Sequence, residues 1–205
     1  LNANYLFGTE ATAKALATYA TRDDAPINLR AEALDALSQW PANSGRDRIS
    51  GLWRPTAFAR SEKVPNEALK PVSNALLTSA PAPVRAATAR AAGALKLTEA
   101  SPALSALVIQ GAADGVARSD ALRALSLLQT PDYAPALAAA REDKDEKVRS
   151  LATQLAVEVP PVAVRNAGSG GSSASGGSTA PLEKALASGS AGVITAATYL
   201  REPRG

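Results

Sequence analysis

The side chains best equipped for chemistry lie in one short stretch: Arg46, Asp47, Arg48, Trp53 and Arg54, between Gly45 and Pro55. Arginine offers a planar fork of donors for a carboxylate or phosphate, and tryptophan a broad, rigid apolar face. Both are favoured where a few side chains carry most of the energy of a protein–protein contact. Arg46, Arg48, Trp53 and Arg54 are therefore the candidate partner-binding residues. A second reading stays open, in which Trp40, Leu52 and Trp53 fold this stretch back onto the body of the protein as a plug. Other suggestive groups carry less. Asp23 and Asp24 are adjacent carboxylates, but neighbours on a turn point apart. The run from Arg141 to Lys147 mixes signs and reads as a solvated turn. It has no Gly where a Ca²⁺ loop needs one.

Composition narrows the chemistry further. None of the 205 residues is Cys, His or Met. Without Cys there are no disulfides, iron–sulfur clusters or thiolate zinc sites. Without His the commonest metal ligand and general base are gone. The nucleophile elbow Gly-x-Ser-x-Gly, the phosphate loop and the dinucleotide fingerprint do not occur. The expectation is a chain without catalytic residues, metal or cofactor. Net charge is +3, and Lys and Arg are scattered, whereas a nucleic-acid footprint clusters its positive charge. No stretch approaches the ~20 apolar residues that span a membrane. The missing initiator Met reads as a segment of a longer protein.

The elements that must hold these residues are helices. Hydrophobic residues make up 46% of the chain but aromatics only 4%, and the apolar content is mostly Ala and Leu, strong helix formers. The fold class is all-α. Self-similarity gives the architecture. An apolar residue, then Arg, then an Ala/Leu-rich run recurs at Leu29-Arg30, Val84-Arg85, Ala117-Arg118 and Val148-Arg149, with the arginines 55, 33 and 31 residues apart. A first helix precedes each: Thr9 to Thr21, Asn66 to Ser79, one opening at Ser101-Pro102 and one at Tyr133. Thr9 and Asn66 are candidate N-caps. The unit is a helix pair of about 33 residues.

Two stretches break the period. An inserted loop at 41–64 accounts for the 55-residue spacing, and 166–179 is Gly/Ser-rich, a flexible linker either native or engineered. Residues 1–165 then hold the repeats. Residues 180–205 hold a final, degenerate helix pair or cap, Pro181 to Ala187 and Val193 to Leu200. The total is about four to five helix pairs.

Such pairs must stack. Ala117, Ala121, Leu122, Leu125 and Leu128 recur at three- and four-residue spacing on one helix face, and a single pair cannot bury that stripe. Arg118 and Arg123 are free to leave that face. The recurrent arginines Arg30, Arg85, Arg118 and Arg149 would form a positive ridge for an anionic partner, or each would pair with Asp or cap a helix end inside the stack. Positions locked to the repeat favour the latter.

A helix pair whose second helix opens with apolar-Arg resembles the HEAT repeat in its short bacterial form. The resemblance implies an α-α superhelix with a concave face of second helices, in which the arginines join an Asp ladder, with Asp145 and Arg149, or Asp114 and Arg118, as the pairs. The run Gly45 to Pro55, following Leu29 to Trp40, looks like the HEAT segment of large haem-binding, dehydrogenase-like proteins of planctomycete and verrucomicrobial type. That implies a spacer between redox domains in a periplasmic or extracytoplasmic protein, with no haem site here. The function so implied is a non-catalytic protein-interaction or spacer module, whose partner is another protein or a neighbouring domain. The alternative is a nucleic-acid-binding solenoid resembling HEAT-like DNA glycosylases, with Trp40, Trp53 and Asp47 near the base.

Overall fold

The computed structural model describes residues 1–41, 45–47, 49–53, 60–111 and 114–158, all within one compact unit, Leu1–Val162. The linker at 166–179 and the degenerate pair at 180–205 lie outside the described residues.

Nine α-helices occur among them: α1 (Asn2–Phe7), α2 (Glu10–Ala20), α3 (Ile27–Ser38), α4 (Lys63–Ser79), α5 (Ala82–Ala94), α6 (Ser101–Ile109), α7 (Gly115–Leu128), α8 (Tyr133–Arg141) and α9 (Glu146–Glu158). Local chemistry sets many of the boundaries. Thr9 caps α2 reciprocally with Thr12: the Thr12 N–H donates to Thr9 Oγ1, and the Thr9 N–H to Thr12 Oγ1. The Asp114 carboxylate caps α7 by accepting from the N–H groups of Val116 and Ala117. Gly8, with φ +66°, ends α1, where a left-handed residue without a Cβ is unstrained. Asn66 is not a cap. α4 starts three residues earlier, and the Asn66 side-chain amide donates to the Leu95 carbonyl at 3.0 Å, tying α4 to the end of α5.

The helices pair as α2–α3, α4–α5, α6–α7 and α8–α9, and the pairs stack in two layers. First helices touch in the order α2, α4, α6, α8, and second helices in the order α3, α5, α7, α9. This is an all-α, α-α superhelix. α5 sits between α3 and α7 in the second layer and is built for close approach. Ala86, Ala87, Ala89, Ala91 and Ala92 are all buried. A Cβ on Gly93 would lie 2.9 Å from the Ala124 Cα. Between the small residues run the large ones, Leu16, Leu34, Leu37, Leu69, Leu104 and Leu122, each with no exposed surface. Burying one such side chain is worth ~1.5–3 kcal/mol, which is why the stack, and not any single pair, is the stable unit.

Charge joins the helices of the second layer as well. Arg90 of α5 donates through Nη2 to the Asp35 carboxylate of α3 at 2.9 Å and through Nη1 to the Asp120 carboxylate of α7 at 2.8 Å. At the N-terminal end α1 covers the first pair. Tyr5 is buried edge-on to Trp40, with ring centroids 6.1 Å apart, and its hydroxyl donates to the Gln39 carbonyl.

Candidate partner-binding loop

Between α3 and α4, residues 45–47 and 49–53 form a tight turn organised by one carboxylate. Asp47 Oδ1 accepts from the N–H groups of Ile49 (3.0 Å) and Ser50 (2.8 Å) and from the Ser50 hydroxyl (3.0 Å). Its Oδ2 accepts from the side-chain amide of Asn2 in α1 at 3.2 Å. The Asp47 backbone closes the turn, donating to the Leu52 carbonyl and accepting from the Gly51 N–H. The Ser50 N–H, the Asn2 amide, the Ser50 hydroxyl and the Ile49 N–H, in that order, hold the carboxyl down at about 2, against the opposing pull of burial. Gly45 and Gly51 have φ of +71° and +69°, conformations that glycine adopts without strain.

This framework fixes what the loop shows to solvent. Arg46 and Trp53 face each other in an antiparallel bridge, the one isolated bridge among the described residues. Arg46 is exposed and donates through Nη1 to the Gly51 carbonyl at 3.2 Å. The Trp53 indole lies over Gly45, where an added Cβ would meet its ring at 2.7 Å. Trp53 nevertheless stays 67% exposed, beside Leu52 at 56% and Ile49 at 80%. Of the four candidate partner-binding residues the structure thus brings Arg46 and Trp53 together on one exposed loop. Arg48 and Arg54 lie outside the described residues.

The plug reading holds for Trp40 alone. Trp40 is completely buried, whereas Leu52 and Trp53 point outward. The residue that seals the insertion onto the body is one that sequence reasoning missed, Arg60. Its guanidinium stacks over both Tyr5 (4.6 Å) and Trp40 (5.0 Å) and donates to the Leu6 carbonyl near the end of α1. Burial lowers the Arg60 pKa, with Tyr5 opposing the shift. An isolated Arg just before a helix gives no signal that two aromatics, distant in sequence, will enclose it.

The recurrent arginines mostly serve the stack. Arg30 is buried, donates to the Ala20 carbonyl at the end of α2 and pairs with Asp23. Arg118, expected to leave the apolar face, is 1% exposed. It grips Asp143 with two hydrogen bonds of 2.7 Å and donates to the Gly111 carbonyl. Arg149 is exposed and donates to the Asp143 carbonyl at 2.7 Å. Neither expected Asp–Arg pairing forms. Asp114 and Asp145 turn to nearby backbone N–H groups instead, and Asp143 receives both arginines. The run 141–147 holds the turn between α8 and α9, residues 142–145, but the Asp143 side chain in it is 6% exposed and structural, not solvated. The geometry also dismantles the glycosylase-like set. Trp40 is wholly buried, and the Asp47 carboxylate is occupied by its own loop and Asn2.

Among the described residues no group of three or more acidic, His or Cys side chains is placed to hold a metal ion, and no helix is long and apolar enough to cross a membrane. Residues 69–156 match the family model for HEAT repeats. The match begins within α4 and ends within α9, over the part of the stack where the period is regular. No curated protein and no solved structure matches the chain.

Proposed function

We propose that this chain is a non-catalytic protein-interaction module whose contact element is the loop of Arg46, Arg48, Trp53 and Arg54. One observation carries the reading: Trp53 is two-thirds exposed, yet held in place by the bridge to Arg46 and a turn locked around Asp47. An exposed indole that is already ordered loses little freedom on docking, and this is what makes an aromatic anchor effective. Arg46 beside it supplies a donor fork at the edge of an apolar patch. HEAT repeats, which residues 69–156 match, generally mediate protein interaction.

The test is site-specific photocrosslinking of the full chain in its native source, with the crosslinker at position 53 and, as control, at exposed Leu127 of α7. A discrete partner or neighbouring domain captured at 53 and lost with Arg46→Ala supports the reading. Equal, diffuse labelling at both positions removes it. A narrower setting, a spacer between redox domains of a longer extracytoplasmic protein, rests on the Gly45 to Pro55 resemblance alone. The intact mass and haem absorbance of the native polypeptide decide it.

A further inference from the structure

Arg85 departs from the pattern of the other recurrent arginines. Arg30, Arg118 and Arg149 each find an acceptor in the chain. Arg85 makes no side-chain hydrogen bond or ion pair with any described residue, and its Nε is buried. The reason is in the turns. Asp23, in the turn of its own pair, serves Arg30, and Asp143, in the turn of the next pair, serves Arg118. For Arg85 the turn of its own pair is only Ala80-Pro81 and carries no acid, and Asp114 in the next turn is committed to capping α7. A buried guanidinium N–H without an acceptor is unfavourable, and the two Nη groups, which are not buried and have no partner among the described residues, are the donors that a ligand can reach.

The Arg85 side chain lines a cleft of ≈ 110 Å³ between α4, α5 and α6. Leu77, Ala103, Ala106 and Leu107 give it apolar walls, and Thr78 and Gln110 add polar atoms. The Thr78 hydroxyl donates to the Asn74 carbonyl of its own helix and so can only accept, while Gln110 is exposed with no side-chain bond among the described residues. Arg85 and the Gln110 amide are therefore the donors in an otherwise apolar slot. No carboxylate lines it to compete for them.

We propose that this cleft binds a single carboxylate carried on a short aliphatic stem, with the Arg85 fork on the carboxylate and the stem against Leu77 and Leu107. The planar guanidinium matches a carboxylate through two parallel hydrogen bonds. The cleft has room for a carboxylate and a few methylenes. Such a group comes from a free aliphatic acid or from an acidic side chain of a bound protein. The cleft shares no residue with the 45–53 loop, so the two readings stand or fall separately.

The experiment follows the Arg85 Nε–H resonance and the Leu77 and Leu107 methyl resonances by NMR in the ¹³C,¹⁵N-labelled full chain. The chain is titrated with glutarate, with an end-capped peptide carrying one central glutamate, and with chloride at matched ionic strength. A saturable shift with glutarate assigns the site to a free acid. Saturation with the peptide alone assigns it to a protein side chain. Either supports the proposal, provided that shifts of the Leu77 and Leu107 methyls disappear in Arg85→Gln and persist in Trp53→Ala. Arg85→Gln keeps the melting temperature of the parent chain, because no protein acceptor depends on Arg85. The proposal is overturned if neither probe saturates, if chloride reproduces the shift, or if the methyl shifts survive Arg85→Gln.

Discussion

The Arg118 guanidinium and the Asp143 carboxylate meet fork to fork, Nε to Oδ2 and Nη2 to Oδ1, both at 2.7 Å, with the two side chains 1% and 6% exposed. Burial works to raise the Asp143 carboxyl, but the Arg118 hydrogen bonds, the Asp145 N–H and the guanidinium charge outweigh it and hold the group below its ordinary value. Removing one partner strands a buried charge, so Arg118→Leu costs ~3–5 kcal/mol in urea unfolding, and adding Asp143→Leu restores most of it. Arg90→Ala, at a half-exposed pair of bridges, costs only ~0–1 kcal/mol, and the loss shrinks as salt is added. Equal losses for Arg118→Leu and Arg90→Ala would refute this ranking.

The two tryptophans separate in the same assay. Trp40 is fully buried against Tyr5 and Arg60, and Trp40→Ala costs ~3–5 kcal/mol. Trp53 touches mainly its own loop, and Trp53→Ala changes stability by no more than ~0.5 kcal/mol. A large loss at Trp53 would mean that it does support the body of the protein.

Gly93→Ala tests the closeness of α5 and α7. Alanine is the better helix former by ~1 kcal/mol. Its Cβ would meet backbone at Ala124 Cα at 2.9 Å, and backbone cannot rotate away. Overpacking of ~1–3 kcal/mol wins, and the melting temperature falls. A rise would show that the two helices have slack between them.

The loop has its own pH dependence. The Asp47 carboxyl sits at about 2 in the folded loop, against an ordinary 3.8. A folded value below the unfolded one gives a contribution that is complete above the ordinary carboxyl range and is lost as pH falls through about 2. The Trp53 indole N–H resonance therefore keeps its neutral-pH position down to about pH 3 and moves below it. Asp47→Asn shifts that resonance already at neutral pH. A midpoint near the ordinary carboxyl value would show that the hydrogen bonds to Asp47 do not form in solution.

Periodicity made the stack legible. The spacing of Arg30, Arg85, Arg118 and Arg149 marks the four second helices, because every repeat must present the same apolar stripe to the next. What periodicity cannot give is which acceptor each arginine reaches. Asp143 serves Arg118 in place of Asp114 because the bond crosses from one pair to the next, and that distance is set by stacking and not by sequence separation. At the loop, residue types singled out Arg46 and Trp53, which the structure sets side by side, but not the role of Asp47, whose carboxylate is held by the N–H groups of Ile49 and Ser50, the Ser50 hydroxyl and the distant Asn2 amide. Arg60 was invisible for the opposite reason: its partners Tyr5 and Trp40 are brought to it only by the tertiary fold.

A solenoid held only by apolar faces can come apart at any joint, one repeat at a time. Here Arg90 is shared between the first and third pairs across the second, and Arg118 reaches from the third pair into the turn of the fourth. The two ties overlap on α7, which carries both Asp120 and Arg118. Opening any one joint therefore breaks an ion pair as well as an apolar contact. Melting of α7 therefore breaks the joints on both its sides, Arg90–Asp120 and Arg118–Asp143, while Arg90–Asp35 still ties the first two pairs together.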